Sequence, residues 1–364
     1  MSDPSRRRRP APARTARGLL ALLTATLLGA CGTSPAPTGA AGGPSHAAAP
    51  TGAAPTAPAT PGATASAGPT GRPPVTSVTA TTLAVRLPAP ASRMVAVPAG
   101  GQLLLLGGLV AGSTSTQVLR LDPVAGTVAT AGRLAHATHD AGGAVLGGAA
   151  LVLGGGVQAS AGWVQAVPVG GGPGTVVGQL PQPRSDHVVV SDGTTAYVAG
   201  GYATGPELTD VLATTDGTTF RVVAHLAIGV RYAAGALVDG VLWVIGGEHG
   251  GTPVDAVQRV DLATGTASVV GHLPAPLSHA SAAVLGGTLL VVGGLRGGVP
   301  VDAVQRIDTT TGATTVVGHL PAPAADTAVA VLADAAYVVG GQTTGGRTLA
   351  SVVRLTTGPA SPAP

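Results

Sequence analysis

Two stretches repeat almost letter for letter, GTPVDAVQRVDLATGTASVVGHLPAP at residues 251–276 and GVPVDAVQRIDTTTGATTVVGHLPAP at residues 298–323. Each belongs to a longer unit that a pair of glycines marks along the chain. The first glycines of the pairs are 47, 46, 46, 47 and 47 residues apart, and the pairs are Gly107-Gly108, Gly154-Gly155, Gly200-Gly201, Gly246-Gly247, Gly293-Gly294 and Gly340-Gly341. A unit of this length with four short strands is typical of a β-propeller blade.

One unit shows how each blade is divided into strands. Ala280–Leu285 and Thr288–Val292 predict two apolar strands, joined by a tight turn at Gly286-Gly287. After a loop, Ala303–Asp308 alternates apolar and polar residues as a half-buried strand does, and Thr314–His319 predicts a fourth strand. The Gly-Gly pair that follows the second strand has no side chains, which lets neighbouring backbone approach.

The two ends of the repeat predict how the ring closes. Ser351–Leu355 matches a third strand without a fourth behind it, and Thr81–Leu87 matches a fourth strand that precedes the first unit. We therefore expect an all-β, six-bladed propeller with four-stranded blades, closed by the N-terminal strand, because closure removes free sheet edges. The predicted propeller spans residues 78–356, with a disordered tail at 357–364, and a closed ring favours a monomer.

A Gly-Gly pair after an apolar second strand resembles the kelch repeat, over about three quarters of the chain. Kelch units usually carry a Tyr in the third strand and a Trp at the start of the fourth. In this chain the third strands instead hold Leu119, Gln165, Leu212, Gln258 and Gln305 at or near the Tyr position. The resemblance implies a kelch-like propeller, a fold that commonly serves as an interaction platform, although a fold alone assigns no function.

The first 31 residues predict a targeting segment. Arg6–Arg9 begin a positive region, and Gly18–Leu28 is an apolar run too short to span a bilayer as a helix. Leu28-Gly29-Ala30-Cys31 then resembles a bacterial lipobox, a resemblance that implies cleavage before Cys31 and lipidation of that residue. We expect 1–31 to be a lipoprotein signal peptide, exported by general secretion or by folded export, and the protein to be extracytoplasmic and anchored to the cell membrane through Cys31.

The segment at residues 32–77 predicts a disordered linker. It is rich in Ala, Pro, Thr and Gly, it has Arg72 as its one charged residue, and such a composition does not bury a core. A linker of this kind would hold the propeller away from the membrane surface.

The charge of the chain argues against nucleic acid as a partner. The formal net charge is +3, but six of the 19 basic residues and one of the 16 acidic residues lie in the first 31 positions. The remainder carries 13 arginines against 15 acidic residues, and the chain has no lysine. Nucleic-acid binding needs clustered basic residues, which this balance does not supply.

Polar residues recur where the blades meet the central channel, and this position predicts a ligand site. The connections from second to third strand and from fourth to first strand share one face of a propeller, the default place for a ligand. Fourteen residues before each Gly-Gly pair the chain has a polar side chain, and neighbouring loop positions add others. The candidate ligand-binding residues are Arg93, Asp140, Asp186, Tyr202, Arg231, Tyr232, Glu248, His249, His279, Arg296, Asp326 and Gln342.

Two interpretations of this polar ring stay open at the level of the sequence. Carboxylates, arginines and an aromatic ring together suit a sugar or an anionic metabolite, with the polar residues of blades three to six as the richest part. Alternatively, loop positions are polar because they are solvated, and Asp or Ser side chains bond the backbone of turns. No HExxH motif and no Cys/His cluster occurs, so we expect neither a metal site nor a cofactor.

Three functions remain as alternatives. The first is a tethered binding module without catalysis, which recognises a small polar ligand, a glycan or a protein partner at the channel mouth. The second is a sugar-active enzyme, because extracytoplasmic six-bladed kelch-like propellers resemble the sialic acid mutarotases; no catalytic residue can be carried over from that family. The third is a scaffold subunit of the envelope.

Overall fold

The computed structural model describes residues 75–358. The predicted signal peptide with Cys31, most of the predicted linker and residues 359–364 lie outside the described residues. Within the described part, no helix has the length and apolar character needed to cross a membrane. Apart from a single 3₁₀ turn at Thr344–Gly346, the regular elements of this part are β-strands, which confirms the predicted fold class.

Six four-stranded antiparallel units follow each other along the chain as the blades of a propeller. Their strands, from the first to the fourth, have the following bounds. Blade 1 consists of Val95–Ala99, Gln102–Leu106, Gln117–Asp122 and Thr127–Arg133, and blade 2 of Gly142–Leu146, Ala149–Leu153, Trp163–Pro168 and Thr175–Gln179. Blade 3 consists of Val188–Ser191, Ala196–Ala199, Asp210–Thr214 and Arg221–His225, and blade 4 of Ala234–Val238, Val241–Ile245, Ala256–Asp261 and Thr266–His272. Blade 5 consists of Ser281–Leu285, Thr288–Val292, Ala303–Ile307 and Thr314–His319, and blade 6 of Ala328–Leu332, Ala335–Val339, Ser351–Thr357 and Val78–Arg86.

Short pairings occupy the loops between second and third strands. In blade 1, Leu109–Val110 pairs with Ser113–Thr114 and also with Ala91–Ser92, which precedes the first strand. Blades 4, 5 and 6 have hairpins of two-residue strands, Glu248–His249 with Thr252–Pro253, Leu295–Arg296 with Val299–Pro300, and Gln342–Thr343 with Arg347–Thr348. One further pairing links two blades, because Gly172–Pro173 runs parallel to the end of the fourth strand of blade 1.

The N-terminal strand closes the ring, as the sequence predicts. Val78–Arg86 pairs antiparallel with Ser351–Thr357, with Val78 opposite Thr357 and Thr82 opposite Val353. The strand is thereby the outermost member of blade 6, whose other three strands come from the end of the described chain. The N-terminal strand begins three residues before the predicted strand and ends one residue before its predicted end, and the C-terminal strand continues two residues beyond its predicted end.

The end of the predicted linker differs from the expectation of disorder. Val75 is buried in the hydrophobic cluster between blades 5 and 6, and its carbonyl oxygen accepts a hydrogen bond from Arg306 Nη1 at 3.3 Å. The backbone N–H of Gly358 donates to Ser77 O at 3.1 Å. Residues 75–77 therefore belong to the packed domain, because one apolar side chain finds a place between blades that composition does not reveal.

The Gly-Gly pairs join each blade to the next. The N–H of the second glycine donates to a carbonyl of the segment that leads into the following blade, as Gly247 does to Leu277 O at 2.8 Å, and Gly341 closes the series by donating to Ala91 O at 2.9 Å. A Cβ atom on the first glycine of a pair would lie on that same carbonyl, 2.2 Å away at Gly246. The expected close approach of backbone at these pairs is confirmed, and it explains why the repeat needs glycine there.

Buried glutamines fix the segments that lead into two of the blades. Gln258, which is 0% exposed, accepts from the N–H of Ile228 at 2.9 Å through Oε1 and donates to Ile228 O at 3.1 Å through Nε2. Gln165 makes the same pair of bonds with the backbone of His136. A glutamine amide has one donor and one acceptor side, so it pairs with a peptide unit as a second strand would. Each of these two glutamines thus forms a polar clamp on the segment that leads into its blade.

Candidate functional site

Six residues surround the channel axis at the start of the blades, and we name them the channel ring: Arg93, Asp140, Asp186, Tyr232, His279 and Asp326. All six have a left-handed backbone, with φ between 54° and 61°. The N–H of each donates to the carbonyl of the ring member in the preceding blade, and Arg93 donates to Asp326 O to complete the circle. These bonds are 2.8–3.4 Å long. The backbone is therefore held identically in all blades, while the side chains differ.

Loops of the two predicted kinds meet on the face that carries the channel ring, which we call the mouth. The residue that precedes each ring member forms an antiparallel bridge with the loop after the second strand of its own blade, as between Ser185 and Tyr202 or between Arg231 and Glu248. Because every blade repeats this bridge, both sets of loop side chains project around one opening. The predicted sharing of one face by the two kinds of loop is confirmed.

The centre of the mouth is a chain of charged groups. Arg93 Nη1 lies 2.8 Å from Asp140 Oδ2, and Arg93 Nε lies 3.4 Å from Asp326 Oδ2. A hydrogen bond of 2.7 Å joins His279 Nδ1 to Asp326 Oδ1, while the His279 ring stacks on Tyr232 with centroids 3.8 Å apart. All six members of the channel ring line a central cavity of about 130 Å³. Its groups are largely paired with each other.

A larger cavity of about 400 Å³, the lateral cavity, lies beside the centre over blades 2, 3 and 4. One wall carries Tyr202 and Tyr232, with the guanidinium carbon of Arg231 5.2 Å and 5.4 Å from the two ring centroids, a cation–π arrangement. The lining also carries two hydroxyl groups beside Tyr202, those of Ser160 and Ser185, and Ser160 Oγ lies 2.8 Å from Tyr202 O. A lining that combines aromatic rings with hydrogen-bonding groups is suited to a ligand that has both an apolar face and hydroxyls.

Arg231 is itself held by acidic residues behind the wall. Its Nη2 lies 3.1 Å from Glu248 Oε2, and its Nε lies 3.9 Å from Glu207 Oε1. Burial works against the charge, but the hydrogen bond and the charge of Glu248 raise the pKa of Arg231. Glu248 Oε1 is also 3.7 Å from His279 Nε2, so the central and the lateral parts of the mouth are coupled.

Burial and like charges shift the acids of the channel ring. Burial raises the pKa of Asp140, although Arg93 and His139 act in the opposite direction. Burial and the carboxylate of Asp140 raise the pKa of Asp186 to about 7. Burial and the charges of Asp186 and Asp140 also raise the pKa of the Tyr232 hydroxyl. Three neighbouring groups therefore hold their protons more tightly than they would in water.

The structure distributes the predicted site residues unequally. The channel ring, Tyr202 and Arg231 line the two cavities, and Glu248 touches both Arg231 and His279. His249 lies further out and is half exposed, with Nδ1 2.8 Å from Gly229 O, and Gln342 Nε2 lies 3.4 Å from Ser92 Oγ. Arg296 is exposed on its hairpin and lines neither cavity. The lateral cavity lies mainly over blades 2 to 4.

Three residues in or near the mouth, Ser160, Glu207 and Arg184, were not predicted from the sequence. Ser160 and Glu207 lie in loops whose lengths differ between blades, so counting from the Gly-Gly pair does not align them. Arg184 is 0% exposed and binds Asp210 through both guanidinium Nη atoms, at 3.1 Å and 2.9 Å, where other blades have small or apolar residues. A charged residue in an otherwise apolar repeat position is the signal that would have identified Arg184.

The described residues contain no group of three or more His, Cys, Asp or Glu side chains arranged to hold a metal ion. The three aspartates of the channel ring are spread over separate blades, and two of them bind Arg93.

These features define the molecule as a six-bladed β-propeller with a polar mouth. The Kelch motif family matches residues 276–313, which run from the end of blade 4 to the turn before the last strand of blade 5. The solved structure described as "Structure of YjhT" is similar over 76% of this chain and 97% of that chain, with a TM-score of 0.64 and 17% identity. At 17% identity this similarity shows a shared fold alone. No curated protein matches the chain in sequence.

Proposed function

We propose that the protein is a membrane-tethered, extracytoplasmic binding module that takes a small polar ligand, such as a sugar unit of a glycan, into its lateral cavity without catalysis. The observation that carries this proposal is the composition of that cavity. Two tyrosines, a guanidinium and serine hydroxyl groups line it, and the volume is about 400 Å³. Sugar rings combine a C–H face with hydroxyls, so the aromatic rings and the hydroxyl groups of the lining both find a partner on one ligand.

The charges at the mouth favour an uncharged ligand. Each of the two arginines already faces two carboxylates, Arg93 with Asp140 and Asp326, and Arg231 with Glu248 and Glu207. An acidic ligand would have to compete with these pairs and would meet their carboxylates at close range. A neutral saccharide needs only hydrogen bonds and the aromatic faces. We therefore place neutral sugars before the anionic metabolite that the residue types alone allow.

The proposed location rests on the lipobox-like Leu28–Cys31 and on the linker composition before the propeller. Replacing Cys31 by Ser removes the sulfur that a lipid would occupy. We expect Cys31→Ser to move the protein from the membrane fraction to the soluble fraction of fractionated cells, while the wild-type chain stays with the membrane. Wild-type protein in the soluble fraction would contradict the anchor and leave the ligand proposal intact.

Binding is tested by isothermal titration of the purified chain with N-acetylglucosamine, galactose and lactose, and with glucuronate and sialate as anionic counterparts. We expect at least one neutral sugar to bind and Tyr202→Ala to weaken it roughly fivefold, since stacking on one aromatic face contributes about 1 kcal/mol. Val124→Ala is the control, because Val124 is 90% exposed in the turn between the third and fourth strands of blade 1. Equal loss in both variants, or selective binding of the anionic sugars, would refute the proposal.

A second candidate function, a sugar isomerase, has one observation in its favour. Asp186 lines both cavities, and its pKa of about 7 suits a group that gives and takes protons near neutral pH. Exchange between the anomers of a sugar that binds, followed by NMR, distinguishes the two functions. Acceleration by the wild-type chain that Asp186→Asn abolishes would support the isomerase; binding without acceleration supports the binding module.

A further inference from the structure

Three short contacts run in line along the wall of the lateral cavity. Asp186 Oδ2 lies 3.0 Å from Ser185 Oγ, Ser185 Oγ lies 3.0 Å from Ser160 Oγ, and Ser160 Oγ lies 2.8 Å from the carbonyl oxygen of Tyr202. The row connects the loop of blade 2 that carries Ser160, the segment that leads into blade 3, and the loop of blade 3 that begins at Tyr202. It thereby holds together three pieces of the cavity wall.

The number of hydroxyl hydrogens in this row determines which group donates in each hydrogen bond. The carbonyl of Tyr202 only accepts, so the one hydroxyl hydrogen of Ser160 must point to it. Ser160 then has none left for Ser185, and the hydrogen of Ser185 must fill the contact between the two serines. The contact between Ser185 and Asp186 consequently lacks a hydrogen unless the carboxyl group supplies one. An ionised carboxylate would leave two oxygens face to face at 3.0 Å.

The surroundings of Asp186 also favour the neutral acid. The charged and titratable groups that face it are Asp140 and Arg93 from the preceding blades, and Arg231 and Tyr232 from the next. Arg93 is paired with Asp140 and Asp326, and among the described residues no Arg or His lies within ion-pair distance of Asp186. Its Oδ1 is buried and finds no donor in the described chain. Two carboxyl groups near one cation share that charge unequally, and the unpaired one keeps its proton.

We propose that Asp186 is a protonated positioning residue, whose hydrogen completes the row Asp186–Ser185–Ser160–Tyr202, and that the lateral cavity keeps its binding shape only while this proton is present. The second part of this inference rests on the proposed function of the cavity, whereas the first does not. Loss of the proton leaves two hydroxyl hydrogens for three contacts, so one contact of the row must open. When Ser185 turns its hydrogen to the carboxylate and Ser160 turns to Ser185, the backbone of Tyr202, whose ring lies 5.2 Å from the Arg231 guanidinium, loses its link to blade 2.

The proton itself is detectable without any ligand. Infrared difference spectra of wild-type protein minus Asp186→Asn, recorded in ²H₂O from about pH 5 to about pH 9, isolate the C=O stretch of a neutral carboxylic acid. We expect a band at low pH that titrates with a midpoint near 7, well above the ordinary range of an aspartate. Absence of this band at the lowest pH, or a midpoint at an ordinary aspartate pKa, would overturn the inference.

Ser185→Ala gives a second test whose sign separates the two hydrogen-bond directions. If the acid donates to Ser185, removing the acceptor destabilises the neutral form, and the infrared midpoint falls. If Ser185 donates to a carboxylate, its removal destabilises the charged form, and the midpoint rises. A fall therefore supports the inference and a rise refutes it. Asp140→Asn serves as a folding control in which the Asp186 band must persist, with a lower midpoint because a like charge is gone.

The consequence for binding is measured with whichever neutral sugar the titrations above identify, N-acetylglucosamine being the first probe. If only the protonated protein binds, the apparent dissociation constant rises about 30-fold between pH 6 and pH 8.5 for a midpoint of 7. Asp186→Asn, whose amide donates to Ser185 as the acid does, keeps one affinity at both pH values. A pH-independent wild-type affinity refutes the link to binding, while an infrared band without any sugar binding leaves the protonated acid in place and refutes the proposed function.

Discussion

Replacing Gln258 by Leu tests whether the buried glutamines hold the segments between blades. Gln258 makes two hydrogen bonds with the backbone of Ile228, at 2.9 Å and 3.1 Å, from a site with no solvent exposure. Leucine is the natural choice, because Leu119 and Leu212 stand near the same position in other blades and the shape is therefore tolerated. The substitution removes both bonds while filling the space.

The expected cost follows from the two backbone groups left without partners. Each unsatisfied buried donor or acceptor costs about 1–3 kcal/mol, and burying the leucine side chain returns about 1–2 kcal/mol. We expect Gln258→Leu to lower the free energy of unfolding by about 2–4 kcal/mol. Urea unfolding followed by circular dichroism measures this change, and the slope with urea concentration must stay constant, because the exposed surface does not change.

Gln305→Leu is the matched control from the neighbouring blade. Gln305 is equally buried, but its Oε1 has no hydrogen-bond partner among the described residues. Leucine there removes an unsatisfied acceptor, so we expect a change within about 1 kcal/mol of zero or a small gain. If Gln305→Leu costs as much as Gln258→Leu, the clamp contributes nothing beyond packing, and the reasoning is refuted.

Two further changes test the joints of the ring. Gly246→Ala places a Cβ 2.2 Å from Leu277 O at a φ of +63°, so we expect it to lower the free energy of unfolding in urea by about 3 kcal/mol or more. Gly250→Ala is the control, because Gly250 has a similar φ of +57° but open space around it, and we expect a cost of about 1–2 kcal/mol from backbone strain alone. Equal costs would contradict the close approach of backbone at Gly246. Deleting residues 75–86 removes the fourth strand of blade 6 and exposes the edge of Ser351–Thr357, so we expect concentration-dependent association in size-exclusion chromatography, and a stable monomer would contradict ring closure by this strand.

Much of the fold could be predicted from the sequence, because a propeller repeats the same four-stranded unit in each of its six blades. Thr288–Val292 and Thr314–His319 have the predicted bounds, since turns with glycine delimit both strands. The position fourteen residues before each Gly-Gly pair aligned the channel ring, because the first hairpin of each blade has almost constant length. What the sequence did not reveal was the reason for this constancy, a circle of backbone hydrogen bonds that accepts any side chain able to adopt a positive φ.

The site was less predictable than the fold, because its residues do not follow the repeated hydrogen-bond pattern of the blades. The loops after the second strands lie outside the repeated hydrogen-bond pattern, so Ser160 and Glu207 have no register that a count could use. The pairing of charges was equally hidden, because Arg231 is neutralised by groups 24 residues before it and 17 after it, while Arg296 in the next blade is exposed. Residue types indicated a polar mouth; only their distances show that no arginine lining the cavities is free.

Folding shifts the pKa values of two adjacent residues, Asp186 and His187, in opposite directions. This pair predicts an unusual dependence of stability on pH. Burial and Asp140 raise the pKa of Asp186 from 3.8 to about 7, so the stability it contributes at low pH is lost as the pH rises from about 4 to 7. Burial and Arg184 lower the pKa of His187 from 6.5 to about 3, and its ring nitrogens have no partner among the described residues. The stability linked to His187 is therefore present above 6.5 and is lost as the pH falls towards 3.

Between about pH 4 and 6.5 the two slopes oppose each other, and each amounts to at most about 1.4 kcal/mol per pH unit. The wild-type free energy of unfolding should thus vary little in this window on account of these two groups. In Asp186→Asn only the pH dependence linked to His187 remains, so the free energy of unfolding should rise with pH. In His187→Leu only the pH dependence linked to Asp186 remains, so the free energy of unfolding should fall with pH. Urea unfolding at several pH values measures both slopes. Parallel profiles for the two variants would show that the neighbours do not carry opposite proton linkage, because any shared background from other groups cancels in the difference between them.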